Sequence, residues 1–221
     1  MPEDFGLGRL AAPDANDHGF LMAAVLPAAP PPSVDYKYWS QNGWWGDQNG
    51  YPQCVGYGWA HYLEDGPITH SGPAPVVAPQ YIYDEAQKVD EWAGTPHDGT
   101  SVRAGAKVLQ AEGRISEYRW AFDIDTVVNA LLTTGPVVVG TNWYRDMFYP
   151  DAKTGLIKVS GALAGGHCYV LNGANRKTKL IRGKNSWSRD WGKRGNFYIT
   201  FDDMDRLIKE DGEACLAVEV K

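Results

Sequence analysis

The chain is poor in cysteine. Cys54, Cys168 and Cys215 are the only three in 221 residues, so at most one disulfide can form and a densely cross-linked secreted scaffold is excluded. It also lacks a basic excess, since 21 Lys and Arg stand against 27 Asp and Glu. A nucleic-acid binder needs a basic surface, which this balance argues against. No apolar run reaches the ~20 residues of a membrane span. The apolar segment 20–29 follows Glu3, Asp4, Asp14 and Asp17 with Arg9 alone against them. A secretory signal starts with positive charge, so this segment reads as a packing arm. There is no Gly-rich phosphate loop and no zinc-type Cys/His pairing, and Asp202, Asp203 and Asp205 do not follow a calcium-loop pattern. The expectation is a protein that needs no metal or cofactor. The missing signal and sparse cysteines read as a cytoplasmic or phage-associated location.

Aromatic residues are abundant, with nine Trp and twelve Tyr. With 43% hydrophobic residues, the chain can bury a substantial core. Its length fits one large domain or two small lobes sharing a cleft.

Residues 1–38 read as an N-terminal arm. Its Ala/Pro-rich end, A-A-P-P-P-S, excludes a continuous helix or central strand. The simpler expectation is an extended segment over the domain surface. The sharper one is a short pro-segment covering a cleft, and docking to a partner is a further use. Residues 39–120 read as a mainly helical lobe and 121–221 as a mainly β lobe. Asn42-Gly43 and Asn49-Gly50 signal turns. A helix is expected from Cys54 to Glu64, with Val55, Trp59 and Tyr62 on one face and Asp65-Gly66-Pro67 as its stop. Gly56 and Gly58 weaken an exposed helix, so this one is expected to be central and closely packed. Further helices are expected over 79–89, from a Thr100 or Ser101 cap to Gly113, over 123–134 and over 202–210. Strands are expected over 136–142, 166–172, 180–187, 195–201 and 215–220.

The stretch G-D-Q-N-G-Y-P-Q-C-V-G carries the first chemical signal. A cysteine opening a helix has its thiolate stabilised by free backbone N–H groups. Gln48, six residues earlier, can donate its amide to a developing oxyanion. A base must then come from elsewhere. His61 lies seven residues along the same helix, roughly 10 Å from the thiol and too far to pair. His18, His70 and His97 fall in the arm or in loops. His167 opens a strand straight after Gly165-Gly166, and a core histidine is as good a reading of its position. In a strand the side chain of Cys168 points away from that of His167, so Cys168, like Cys215, reads as a small core residue. Asn185, followed by Trp187 and Trp191, can fix a histidine tautomer behind a hydrophobic shield. The alternative there is a Trp-rich turn without chemistry.

Gln48, Cys54, His167 and N-S-W-S-R-D-W-G-K-R-G-N-F, in this order, resemble the papain-like cysteine peptidases. The resemblance spans Trp39 to the C-terminus. It implies an α+β, papain-like two-lobed fold, in which a helical lobe with a central Cys-bearing helix packs against an antiparallel β-barrel-like lobe. It implies Cys54 as nucleophile, His167 as base and acid, Asn185 as orienter, and Gln48 with the Cys54 N–H as oxyanion donors. Trp187 would shield the Asn185–His167 contact. Gly99 would hydrogen-bond an extended substrate, and Gly166 and Gly140 would fall near the pocket for the second residue before the cut. The substrate is a peptide or protein, cut through an acyl-enzyme thioester, and the Cys–His pair is expected to rest as thiolate–imidazolium. Transpeptidation, deamidation and a silent binding module are the alternatives. The sequence departs from the family at Y-P-Q-C-V-G, which lacks the usual upstream cysteine. The interval from Cys54 to His167 is 113 residues, against the usual ~130–150. Only some fifty residues precede Cys54, too few for a long pro-region. This lean pattern resembles bacterial or phage-type members.

Overall fold

The computed structural model describes residues 5–28, 34–39, 44–68, 70 and 72–220. The proline run at 30–32 and the Asn42-Gly43 turn signal lie outside the described residues. The helices are α1 (Cys54–Asp65), α2 (Pro79–Ala86), α3 (Val102–Ala111), α4 (Ile124–Thr133) and α5 (Phe201–Lys209). Local chemistry sets their starts. Ser101 caps α3 by accepting from the Ala104 N–H, Asp123 caps α4 through Thr126, and Thr200 caps α5 through Asp203. Pro79 opens α2, where its missing N–H costs nothing.

The strands are β1 (Tyr36–Tyr38), β2 (Ile115–Ala121), β3 (Val137–Tyr144), β4 (Leu163–Asn175), β5 (Leu180–Lys184), β6 (Asn196–Thr200) and β7 (Glu213–Glu219). They form one antiparallel sheet in the order β2-β7-β3-β4-β5-β6, with β1 on β4. Strands β1 and β2 are not anticipated by sequence pattern. In β2, Ile-Ser-Glu-Tyr-Arg-Trp-Ala, polar and charged residues interrupt the apolar alternation, and pairing with β7 decides the conformation instead. The sheet therefore starts before residue 121, inside the stretch expected to be helical.

Alternation along β4 divides the interior into two cores. Cys168 and Val170 face α1 and join Cys54, Val55, Trp59 and Tyr62. Tyr169 and Leu171 face the opposite side, with Trp143, Phe197 and the apolar stripes of α4 and α5. Helix α1 is thus buried between the other helices and the sheet, as its glycines suggest. A β-carbon on Gly56 would stand 2.2 Å from the Pro79 carbonyl oxygen, and one on Gly58 2.8 Å from the Cys168 sulfur. Both positions must lack a side chain for α2 and β4 to approach. Each fully buried large side chain on α1 contributes about 1.5–3 kcal/mol. At the far end of the helix, Asp65 pairs with Lys184 at 2.6 Å, both side chains fully buried. The Asn172 amide donates to the other carboxylate oxygen at 2.6 Å.

Gly56→Ala should therefore lower stability by about 1–3 kcal/mol through overpacking against α2. Gly19→Ala, where nothing lies within 4 Å of the added carbon, should have little effect. Urea denaturation of the two variants measures the contrast.

Candidate active site

The local chain path brings the candidate residues together. Cys54 is the first residue of α1. Its sulfur accepts a hydrogen bond from the Cys168 backbone N–H at 3.3 Å, so it lies against the residue next to His167. His167 sits within β4 opposite Thr141 of β3. Its Nε2 lies 2.8 Å from Asn185 Oδ1, with Asn185 directly following β5. Trp187 stacks on the imidazole at 4.6 Å and 21°, and Trp143 meets it edge-on at 4.9 Å. Gln48 is buried, and its amide oxygen accepts from the Ser186 hydroxyl. That bond turns the amide nitrogen outward, toward Tyr51 O at 2.6 Å and Leu7 O at 3.2 Å. Ser186 was missed at sequence level, although it lies inside the N-S-W block.

The N-terminal arm enters this cleft. Residues 5–10 do not lie over an outer surface, because the cleft offers their backbone fixed partners. Trp187 Nε1 donates to Gly6 O at 3.0 Å. The Gly166 carbonyl accepts from Gly8 N at 3.1 Å and from Arg9 N at 3.0 Å. Thr100 N donates to Gly8 O, and Leu10 N to Thr100 O, each at 2.9 Å. The Phe5 ring stacks against Trp187 and Phe148 at 4.8 and 5.9 Å. Gly8 has φ +121°, and a β-carbon there would stand 2.3 Å from the Pro52 carbonyl oxygen. Only glycine fits.

Trp187 and the three glycines expected near substrate thus meet the arm. Trp187 and Gly166 bond to it directly. Gly140 packs on the Arg9 side chain. In the loop of Gly99, Thr100 makes the backbone bonds to the arm, while Gly99 at φ +89° allows the close approach of Gly8. Farther along, Arg103 of α3 holds Asp17 through two nitrogens, at 2.5 and 2.6 Å.

Burial dominates the electrostatics of Cys54 and His167 in the covered site. Burial pushes the Cys54 thiol up to about 12, outweighing the lowering by the Cys168 N–H, the Arg9 charge and the helix N-terminus. Burial lowers the His167 imidazole to about 4, against the opposing bond to Asn185. His167 Nδ1 has no hydrogen-bond partner among the described residues. Burial thus disfavours the charged form of each group taken singly, which works against a thiolate–imidazolium pair while the cleft is covered. His61 does not take part. Its Nε2 accepts from Gly46 N at 3.4 Å, beneath the loop that carries Gln48.

A histidine whose folded pKa is depressed resists protonation. Its fold is stable above the ordinary value of about 6.5 and loses stability as pH falls toward about 4. The gap amounts to about 3 kcal/mol by pH 4. His167→Gln should flatten the fall in melting temperature between pH 6.5 and 4, leaving the part due to His61, which is depressed in the same direction. Melting curves across that range test this.

Known proteins match both sequence and fold. The papain family cysteine protease profile matches residues 72–213, more than half of the chain. That stretch contains His167 and Asn185 and starts downstream of Gln48 and Cys54. Xylellain, a cysteine protease from Xylella fastidiosa, superposes with a TM-score of 0.74 at 18% identity, covering 99% of this chain and 98% of its own. The bromelain protease from Ananas comosus, in complex with the E64 inhibitor, gives 0.63 at 12% identity, covering 84% of this chain and 99% of its own. Digestive procathepsin L 3 of Tenebrio molitor gives 0.61 at 14% identity, covering 98% and 76%. No curated protein sequence matches. The antiparallel sheet, the buried helix that starts at Cys54 and the matched profile agree, and the chain belongs to the papain family of cysteine proteases.

Proposed function

We propose that Cys54, His167, Asn185 and Gln48 hydrolyse peptide bonds by an acyl-enzyme mechanism, and that residues 5–10 hold the enzyme latent. One juxtaposition carries this reading. The Cys54 sulfur lies 3.3 Å from the backbone nitrogen adjacent to His167, whose Nε2 is tied at 2.8 Å to Asn185 while Nδ1 is left unpartnered among the described residues. A buried ring with one nitrogen fixed and the other free is poised to accept a thiol proton.

Once the arm lifts, His167 Nδ1 takes the proton from Cys54, and the thiolate attacks the substrate carbonyl carbon. The oxyanion accepts from Gln48 Nε2 and the Cys54 backbone N–H. The C–N bond breaks, the leaving amine takes the proton back from His167, and a thioester remains. Water, deprotonated by His167, then releases the acid and restores the thiol. Asn185 keeps the ring in one tautomer throughout.

The arm blocks this chemistry in two ways. It excludes water, and its Leu7 carbonyl occupies the Gln48 donor. Its direction matters as well. The leaving amine collects its proton from His167, so the C-terminal part of a substrate lies on the side of His167 and Trp187. The arm puts its N-terminal residues Phe5 and Gly6 there and runs on to Arg9 and Leu10 at Thr100. It is threaded backwards, with no leaving nitrogen at the thiol.

Gly8→Val should drive the arm from the cleft and raise both the rate of Cys54 alkylation by iodoacetamide and the cleavage of a peptide library. Labelling no faster than in the parent would refute latency. In that open background, Cys54→Ala should abolish cleavage and covalent capture of the epoxide inhibitor E64, read by mass spectrometry. Gln48→Ala should lower kcat by roughly 10²–10³. A change confined to KM would assign Gln48 to substrate binding instead.

A further inference from the structure

The arm also reports the chemistry of one pocket. Arg9 is the only Lys or Arg in the first 36 residues, and its side chain is almost wholly buried in the cleft. Its stem crosses the glycine-lined part of the cleft. A β-carbon on Gly140 would stand 2.9 Å from Arg9 Cγ and Nε, and one on Gly166 3.2 Å from Cδ. At the end of the stem Nε donates to Glu213 Oε2 at 2.9 Å, and Nη2 lies 2.8 Å from the same oxygen. Nη2 also donates to the Asp211 carbonyl. The Arg9 and Glu213 side chains are only 2% and 9% exposed. The second carboxylate oxygen, Glu213 Oε1, is buried without a partner among the described residues. The pocket thus holds more acceptor capacity than Arg9 uses.

We propose that this pocket, closed at its inner end by Glu213 and the Asp211 carbonyl, selects substrates with an arginine two residues before the cut bond. The proposal rests on the peptidase reading above, and the position is the one that the family resemblance implies for Gly140 and Gly166. The pocket reads a side chain, so the reversed direction of the arm backbone does not change what it accepts. A leucine would leave the Glu213 carboxylate buried without a counter-charge. A glutamate would set two like charges together. Lysine supplies the charge, but its single nitrogen cannot reproduce a planar fork that serves both the carboxylate and the carbonyl. The family resemblance assigns this region to substrate binding but says nothing of its preference. Arg9 and Glu213 supply that.

Two measurements on the full chain test the proposal. The first does not depend on catalysis. Arg9→Ala should lower the melting temperature, and low-millimolar ethylguanidinium should restore it more than ethylammonium does. No rescue should occur when Glu213→Gln is added. Equal shifts from both cations, or rescue that survives Glu213→Gln, would overturn the claim. The second uses Gly8→Val/Arg9→Ala, which opens the cleft and empties the pocket, with four fluorogenic peptides differing only in Arg, Lys, Leu or Glu at the second position before the cut. The expected kcat/KM ratio of Arg to Leu is roughly 10², falling toward one with Glu213→Gln. A preference for Leu, or a ratio indifferent to Glu213→Gln, would refute it. If none of the peptides is cut by a protein that ethylguanidinium still stabilises, the peptidase reading falls and takes the pocket's role in choosing substrates with it.

Discussion

Much of the structure depends on how closely α1 lies on β4. The missing side chain at Gly58 lets the helix settle against Cys168, and that brings the Cys54 sulfur within 3.3 Å of the strand backbone. A larger residue would lift the helix and separate the thiol from the neighbour of His167. At the opposite end the buried Asp65–Lys184 pair ties the helix to β5, one residue before Asn185. The pair is expensive to desolvate and is weak evidence for stability. Its geometric effect is clearer: one contact fixes the thiol against β4, and the other fixes the strand that ends beside Asn185.

The same close packing works against charge on Cys54 and His167 in the covered site. A thiolate–imidazolium pair needs water or opposing charge to offset its desolvation, and the arm removes the water. The helix N-terminus and Arg9 favour the thiolate, but burial outweighs them.

The sequence made the helices and most strands legible because their apolar periods are strong and their caps conventional. The catalytic candidates were legible for a different reason: Gln48, Cys54, His167 and the Asn185 block are short local patterns in a fixed order. Strands β1 and β2 were not, since each is set by pairing with a distant strand rather than by its own pattern. The position of the arm was hidden likewise. Its composition says extended, but only the donors at Thr100 and Trp187 and the acceptor at Gly166 decide where an extended chain lies. Arg9 was visible as a lone positive charge among acids, and Glu213 as an unremarked acid at the start of β7. Nothing in their 204-residue separation predicts the hydrogen bond between them.

The arm is not one piece. Beyond Leu10 it becomes part of the wall of the protein: Asp17 is clasped by Arg103, Phe20 accepts from the Trp120 backbone, and Met22 is fully buried in the β-lobe core. Only residues 5–10 are held by contacts within the cleft itself. The protein therefore resembles a bottle whose stopper is tied to its neck. The tether keeps the stopper near the cleft at a local concentration on the order of millimolar, however dilute the protein. On the latency proposed above, dilution would not activate such an enzyme, and each opening would be reversible until the tip itself is cut. If the tip is the inhibitor proposed above, severing it would open the cleft while the Asp17–Arg103 clasp and the buried Met22 stay in place as structure.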